Sequence, residues 1–177
     1  MKIVFLAGIN NSGPGHWQRA WYEKLGGIWV EHADWDNPRA QEWVPNLQKC
    51  LEEHPGPKVL MAHSMGCLLI SRWVKDHQDP SLKGAFLVGP PDILSPQYPK
   101  VAEGFTSPFE VGLPFPTALV ASRNDPYSSF DYAQELAAHW KARLLDVGNK
   151  GHINMDSRLG FWDEGFGLFL EFIRTIA

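Results

Sequence analysis

The chain has 177 residues, 44% of them hydrophobic, and a formal charge of −4. That length accommodates one substantial core and not two, so a single domain spanning 1–177 is expected. Basic residues are scattered singly, which argues against a nucleic-acid groove or a polybasic membrane patch, and no apolar run approaches the roughly 18 to 20 residues of a membrane span.

Met1 to Asn10 holds one charge and a short apolar run that passes straight into a glycine loop, too short for a signal peptide, so Lys2 to Ala7 reads as a first buried strand. Further strands are predicted at Ile28 to His32, Lys58 to Ala62, Gly84 to Val88, Thr117 to Ala121 and Arg143 to Val147. Helical patterns alternate with them at His16 to Leu25, Pro45 to Glu53, Met65 to His77, Ser129 to Trp140 and Trp162 to Ile176. Asn37-Pro38 reads as a cap with a first-turn proline, and Pro45 as the start of the main helix. Short apolar strands separated by helices predict an α/β fold: a mostly parallel central sheet of about six strands with helices on both faces.

Residues 90–116 form one long irregular segment with seven prolines and Tyr98, Phe105, Phe109 and Phe115, the mark of a functional loop near an active site. Cys50 and Cys67 fall on predicted helices without a secretory signal, which predicts free thiols in the cytoplasm. Asp34 and Asp36 form a carboxylate pair that could suggest a metal, but no histidine or cysteine cluster accompanies it and a solvated turn is the better reading, so neither a metal nor a cofactor is expected. Gly13-Pro14-Gly15 between strand and helix invites a dinucleotide reading, which fails where Gln18 stands in place of the third glycine.

Ala62-His63-Ser64-Met65-Gly66 lies between strand and helix, with a serine at the sharp turn, as a nucleophile requires. A serine needs a base, usually a histidine oriented by a carboxylate. Of seven histidines, His152 stands out because Gly148-Asn149-Lys150-Gly151-His152 is a loop directly after the last strand. His63 adjoins the serine, but its side chain should point away from the hydroxyl. Asp125 follows the strand Thr117 to Ala121 and is favoured over Asp92, Asp146 and Asp156; its bland reading is a helix cap before Pro126.

The order Ser64, Asp125, His152 is that of the α/β-hydrolases. With Asp125-Pro126-Tyr127 and Gly151-His152-Ile153-Asn154, the chain resembles the small serine hydrolases related to retinoblastoma-binding protein nine and their bacterial members. The resemblance covers nearly the whole chain and implies a compact α/β-hydrolase with a catalytic triad and no separate cap domain. Ala62 departs from the usual first glycine of the elbow, a packing choice a small residue can satisfy.

Met65 N–H is the expected oxyanion donor from the helix, with Ile9 or Asn10 supplying the other from the first loop. Eight tryptophans are many for this length; most suit core packing, while Trp17 and Trp35, with Phe105 and Phe109, are candidates to line a substrate pocket, with a structural role the favoured alternative. The expected function is cleavage of a small ester or amide through an acyl-enzyme on Ser64. The alternative is an interaction protein that keeps the fold, but the pocket-binding motif Leu-x-Cys-x-Glu is absent, since Gln48 precedes Cys50-Leu51-Glu52.

Overall fold

The computed structural model describes Met1–Ala177. Its elements run β1 (Lys2–Leu6), α1 (Trp17–Leu25), β2 (Ile28–Trp29), α2 (Ala40–Glu53), β3 (Lys58–His63), α3 (Met65–Trp73), β4 (Leu82–Val88), β5 (Thr117–Ala121), α4 (Phe130–His139), β6 (Arg143–Asp146) and α5 (Asp163–Ile176). The six strands form one sheet in the order β2-β1-β3-β4-β5-β6, and every neighbouring pair is parallel.

Because successive strand residues face opposite sides, each central strand feeds two cores. Leu6, Leu60, Ala62 and Leu87 pack with Leu47, Leu68 and Leu136 of α2, α3 and α4, whereas Phe5, Met61 and Phe86 pack with Trp17, Trp21, Phe169 and Phe172 of α1 and α5. Trp17, Trp21, Trp43 and Trp73 on the helices, and Trp140 at the C-cap of α4, are all buried. No helix is long and apolar enough to cross a membrane.

Three expectations need correction. The second strand is only two residues long: Val30 N–H still donates to Phe5 O at 3.0 Å, and beyond it no residue pairs with β1. The helix expected from Pro45 begins at Ala40, with Pro45 inside it: burial of Trp43, Val44 and Leu47 outweighs the one backbone bond that the proline cannot donate. Asn37-Pro38 does not open that helix; Arg39 is its N-cap, and the Pro38 carbonyl accepts from Glu103 N–H while Ala40 N–H donates to Glu103 O. That exchange fastens residues 90–116 to the start of α2.

The same segment carries one 3-10 turn, Pro108–Glu110, and lies along α3 and α4. Trp140 Nε1 donates to Pro108 O at 3.1 Å, and Lys75 pairs with Glu110.

Gly66 is where α3 meets β1. A Cβ there would stand 2.3 Å from Leu6 O, well inside van der Waals contact with a backbone atom that cannot swing away. Gly66→Ala is therefore expected to lower the unfolding free energy by roughly 1–3 kcal/mol, read from the urea midpoint; an unchanged midpoint would show that α3 and β1 can separate freely.

Candidate active site

Ser64 joins the fully buried strand β3 to α3 with φ 54 and ψ −122, a backbone state costly for a residue with a side chain. Ser64 N–H donates to Val88 O at 2.9 Å, so the turn is tied to the end of β4. Ala62 lies in the core with its Cα paired to Leu6 on one side and Leu87 on the other.

Asp125 and His152 arrive on the loops after β5 and β6. His152 Nε2 lies 2.8 Å from Ser64 Oγ, and His152 Nδ1 lies 2.8 and 3.0 Å from the two Asp125 oxygens. The carboxylate can only accept, so Nδ1 carries the proton and Nε2 presents its lone pair to the serine hydroxyl. Asp125 Oδ1 also accepts from Tyr127 N–H at 2.9 Å, and the Tyr127 ring covers His152 at a centroid separation of 4.5 Å. All three side chains are buried.

The two loops are tied to each other. Gly151 N–H donates to Asn124 Oδ1 and Lys150 N–H to Ser122 Oγ, each at 2.8 Å, while Ser157 Oγ donates back to Lys150 O at 2.6 Å. Two of the three rival carboxylates are engaged elsewhere, Asp146 with Arg123 on the surface and Asp92 accepting from Leu94 N–H, while Asp156 lines the cavity but makes no bond to His152, whose Nδ1 meets Asp125 alone. His54, His77 and His139 bond to carbonyls away from this site, and His32 stacks on Trp43 at 4.0 Å.

The helix N-terminus at Met65 leaves its N–H without an intrahelical acceptor. Gly8 brings the first loop against it: a Cβ on Gly8 would stand 2.9 Å from Ser64 Cβ and 3.2 Å from Met65 N. Ile9 N–H makes no hydrogen bond within the protein, whereas Asn10 N–H donates to Trp35 O at 2.9 Å and is therefore unavailable as an oxyanion donor. Gln18 holds this loop from beneath, fully buried, with Nε2 donating to Leu6 O and Met61 O and Oε1 accepting from Ser12 Oγ.

A cavity of about 290 Å³ opens over Ser64 and His152, with Ile9, Tyr127, Asn154 and Met155 among its walls. Trp17, Trp35, Phe105 and Phe109 do not line it. Trp17 is buried in the α1/α5 core with Nε1 donating to Ile153 O; Trp35 packs on His32 and Trp43. Phe105 packs on Trp43 and Phe109 on Tyr132 and His139, because residues 90–116 lie along α3 and α4 and lend the cavity only Pro91 and Pro99. Met155 and Asp156, which the sequence reading did not assign to a pocket, line it because they follow His152 within the same loop. No group of three or more His, Cys, Asp or Glu side chains is placed to hold a metal ion.

A profile of the serine hydrolase family matches residues 3–171. The chain belongs to that family. It is 26% identical over 179 residues to the hydrolase YdeN of Bacillus subtilis, covering 93% of this chain and 88% of that protein. Among solved structures, a YdeN-like hydrolase from Pectobacterium atrosepticum is 28% identical with a TM-score of 0.85, covering 99% of this chain and 91% of that one. A thermophilic esterase from Thermogutta terrifontis shares the α/β-hydrolase fold at a TM-score of 0.74 and 13% identity, covering 99% of this chain and 90% of that one.

Two other histidines are buried, His16 in the cavity wall and His32 away from the site against Trp43. Burial first, and then His152, lowers His16 from 6.5 to about 4, and burial lowers His32 to about 3. A histidine depressed in this way stays neutral in the fold while the unfolded chain takes up a proton, so its stabilisation is present above pH 6.5 and is lost as pH falls toward the folded value. Stability should be flat above neutrality and fall below pH 6.5, with each such histidine contributing a limiting slope of about 1.4 kcal/mol per pH unit. Urea midpoints at pH 7.5 and 5 test this, and equal midpoints would contradict the buried, neutral state of these rings.

Proposed function

We propose that this serine hydrolase cleaves a small ester or amide through an acyl-enzyme formed on Ser64. The observation that carries the reading is the imidazole of His152, bonded at one nitrogen to Ser64 Oγ and at the other to Asp125. The three residues thus have the geometry of a Ser-His-Asp triad.

In the first half-reaction Ser64 Oγ attacks the substrate carbonyl as its proton passes to His152 Nε2. Asp125 keeps the imidazole in the tautomer that can accept that proton and stabilises the imidazolium that results. The negative charge developing on the carbonyl oxygen meets the N–H groups of Met65 and Ile9 at the positive end of α3. His152 then protonates the leaving alcohol or amine. In the second half-reaction water, deprotonated by His152, attacks the acyl group, and the proton returns to Ser64 Oγ as the acid departs.

The cavity of about 290 Å³ lies at the lower end of the roughly 300–1,000 Å³ usual for small-molecule sites. Its walls include polar Asn10, Asn11, Asn154 and Asp156, which suits short acyl groups better than long aliphatic ones. Esterases share this fold, and ester substrates are the natural first assay.

On an activated acetyl ester, Ser64→Ala and His152→Ala are each expected to reduce kcat by roughly 10⁵- to 10⁶-fold and Asp125→Asn by roughly 10⁴-fold, with the losses far from additive in combination. Full turnover by Ser64→Ala would refute the mechanism. Across an acyl series at equal leaving group, kcat/KM should be higher for acetyl and propionyl than for palmitoyl esters, and the opposite order would refute the small-pocket reading.

A further inference from the structure

The base loop is strained directly after His152. Ile153 is β-branched and has φ 52, in the left-handed region that such residues rarely enter. Two ring N–H groups from outside the loop hold this stretch. His63 Nε2 lies 3.0 Å from the His152 carbonyl oxygen, and because a carbonyl only accepts, that nitrogen carries the proton. Trp17 Nε1 donates to the next carbonyl, that of Ile153, at 2.6 Å. The donors stand at the end of β3 and the start of α1, both buried, and their rings meet edge to face with centroids 5.8 Å apart.

We propose that His63 and Trp17 form a two-point clamp on the consecutive carbonyls of residues 152 and 153, and that His63 is thereby a positioning residue for His152. The kinetic consequence rests on the acyl-enzyme reading above, whereas the clamp itself does not. Ser64 and the clamp residue His63 are neighbours in the chain, so the nucleophile and the backbone of its base are referred to the same rigid strand end. A shift of β3 carries both together, which preserves the separation of Ser64 Oγ and His152 Nε2.

The donor's charge matters as well as its place. His152 becomes an imidazolium during turnover, and the His63 ring centroid is only 5.1 Å from that of His152. A lysine or arginine donor here would oppose that positive charge at short range. His63 supplies the N–H without a charge: burial, followed by its neighbours His16 and His152, keeps it well below the ordinary histidine value. His16, with its ring centroid 5.0 Å from that of His63, is likewise held neutral, near 4. Tryptophan, a donor that never ionises in this range, serves the second point.

The test compares His63→Leu, His63→Gln and Trp17→Phe with the wild type by amide hydrogen exchange and by steady-state ester hydrolysis. Loss of the His63 donor in the leucine variant should speed exchange across residues 150–157 while β3 and α3 stay protected. It should also lower kcat by roughly tenfold or more with KM within about twofold, as expected for a displaced base. Glutamine, which restores a neutral N–H donor, should recover both readouts, and Trp17→Phe should loosen the same residues.

A His63→Leu variant with wild-type exchange and kcat, or a His63→Gln variant no better than it, would overturn the proposal. If His63→Leu loosens the whole chain, Trp17→Phe decides: faster exchange confined to 150–157 supports the clamp, and unchanged exchange overturns it. Ester turnover independent of Ser64 would refute the acyl-enzyme reading, leaving exchange alone to decide the clamp.

Discussion

The approach of α3 to β1 at Gly66 sets where everything else in the site can stand. With no side chain between them, the helix packs against the Leu6 carbonyl, and the chain must reverse sharply within Ser64 to enter it from β3. That reversal lifts the serine hydroxyl out of the sheet and leaves the Met65 N–H at the mouth of the helix. The parallel order β3-β4-β5-β6 then brings the C-terminal ends of three strands to one edge, where Ser64, Asp125 and His152 follow β3, β5 and β6. The strain at Ser64 is sustained by its neighbours: Val88 O accepts its N–H, and β3 is paired on both sides.

Asp125 and His152 sit on loops, yet the hydrogen bonds among Ser122, Asn124, Lys150, Gly151 and Ser157 make those loops one unit. Such support matters because an imidazole displaced by about an ångström no longer bridges hydroxyl and carboxylate. The electrostatics follow the same logic. His16 and His63 stand beside His152 as neutral rings, so in the proposed mechanism the positive charge that forms near Ser64 is that of His152 itself, facing Asp125.

Much of this arrangement was legible in the sequence for physical reasons. Buried parallel strands must be apolar on both faces, so Lys58 to Ala62 and Thr117 to Ala121 announce themselves, and with them the strand ends where Ser64 and Asp125 follow. Apolar character reports burial but not the partner, which is why Trp17, Phe105 and Phe109 could be recognised as inward-facing without revealing that they face the core and not the cavity. The start of α2 was hidden because local rules treat Pro45 as an opening residue, while the burial of Trp43 and Val44 and the pairing of Arg39 with Glu103 are set by distant parts of the chain. Asn10 fails as an oxyanion donor for a similar reason: whether its N–H is free depends on Trp35 O, 25 positions along the chain. Gln18 carried a signal that was read only as a missing glycine, though a buried amide must find partners and here it ties the first loop to β1 and β3.

The central claim is that Ser64 is the nucleophile activated by His152, and covalent capture tests it most directly. After treatment with a fluorophosphonate, peptide mass spectrometry should place a single adduct on Ser64, absent from Ser64→Ala and formed far more slowly by His152→Ala. An adduct on any other residue, or equal labelling of the His152→Ala protein, would contradict the account.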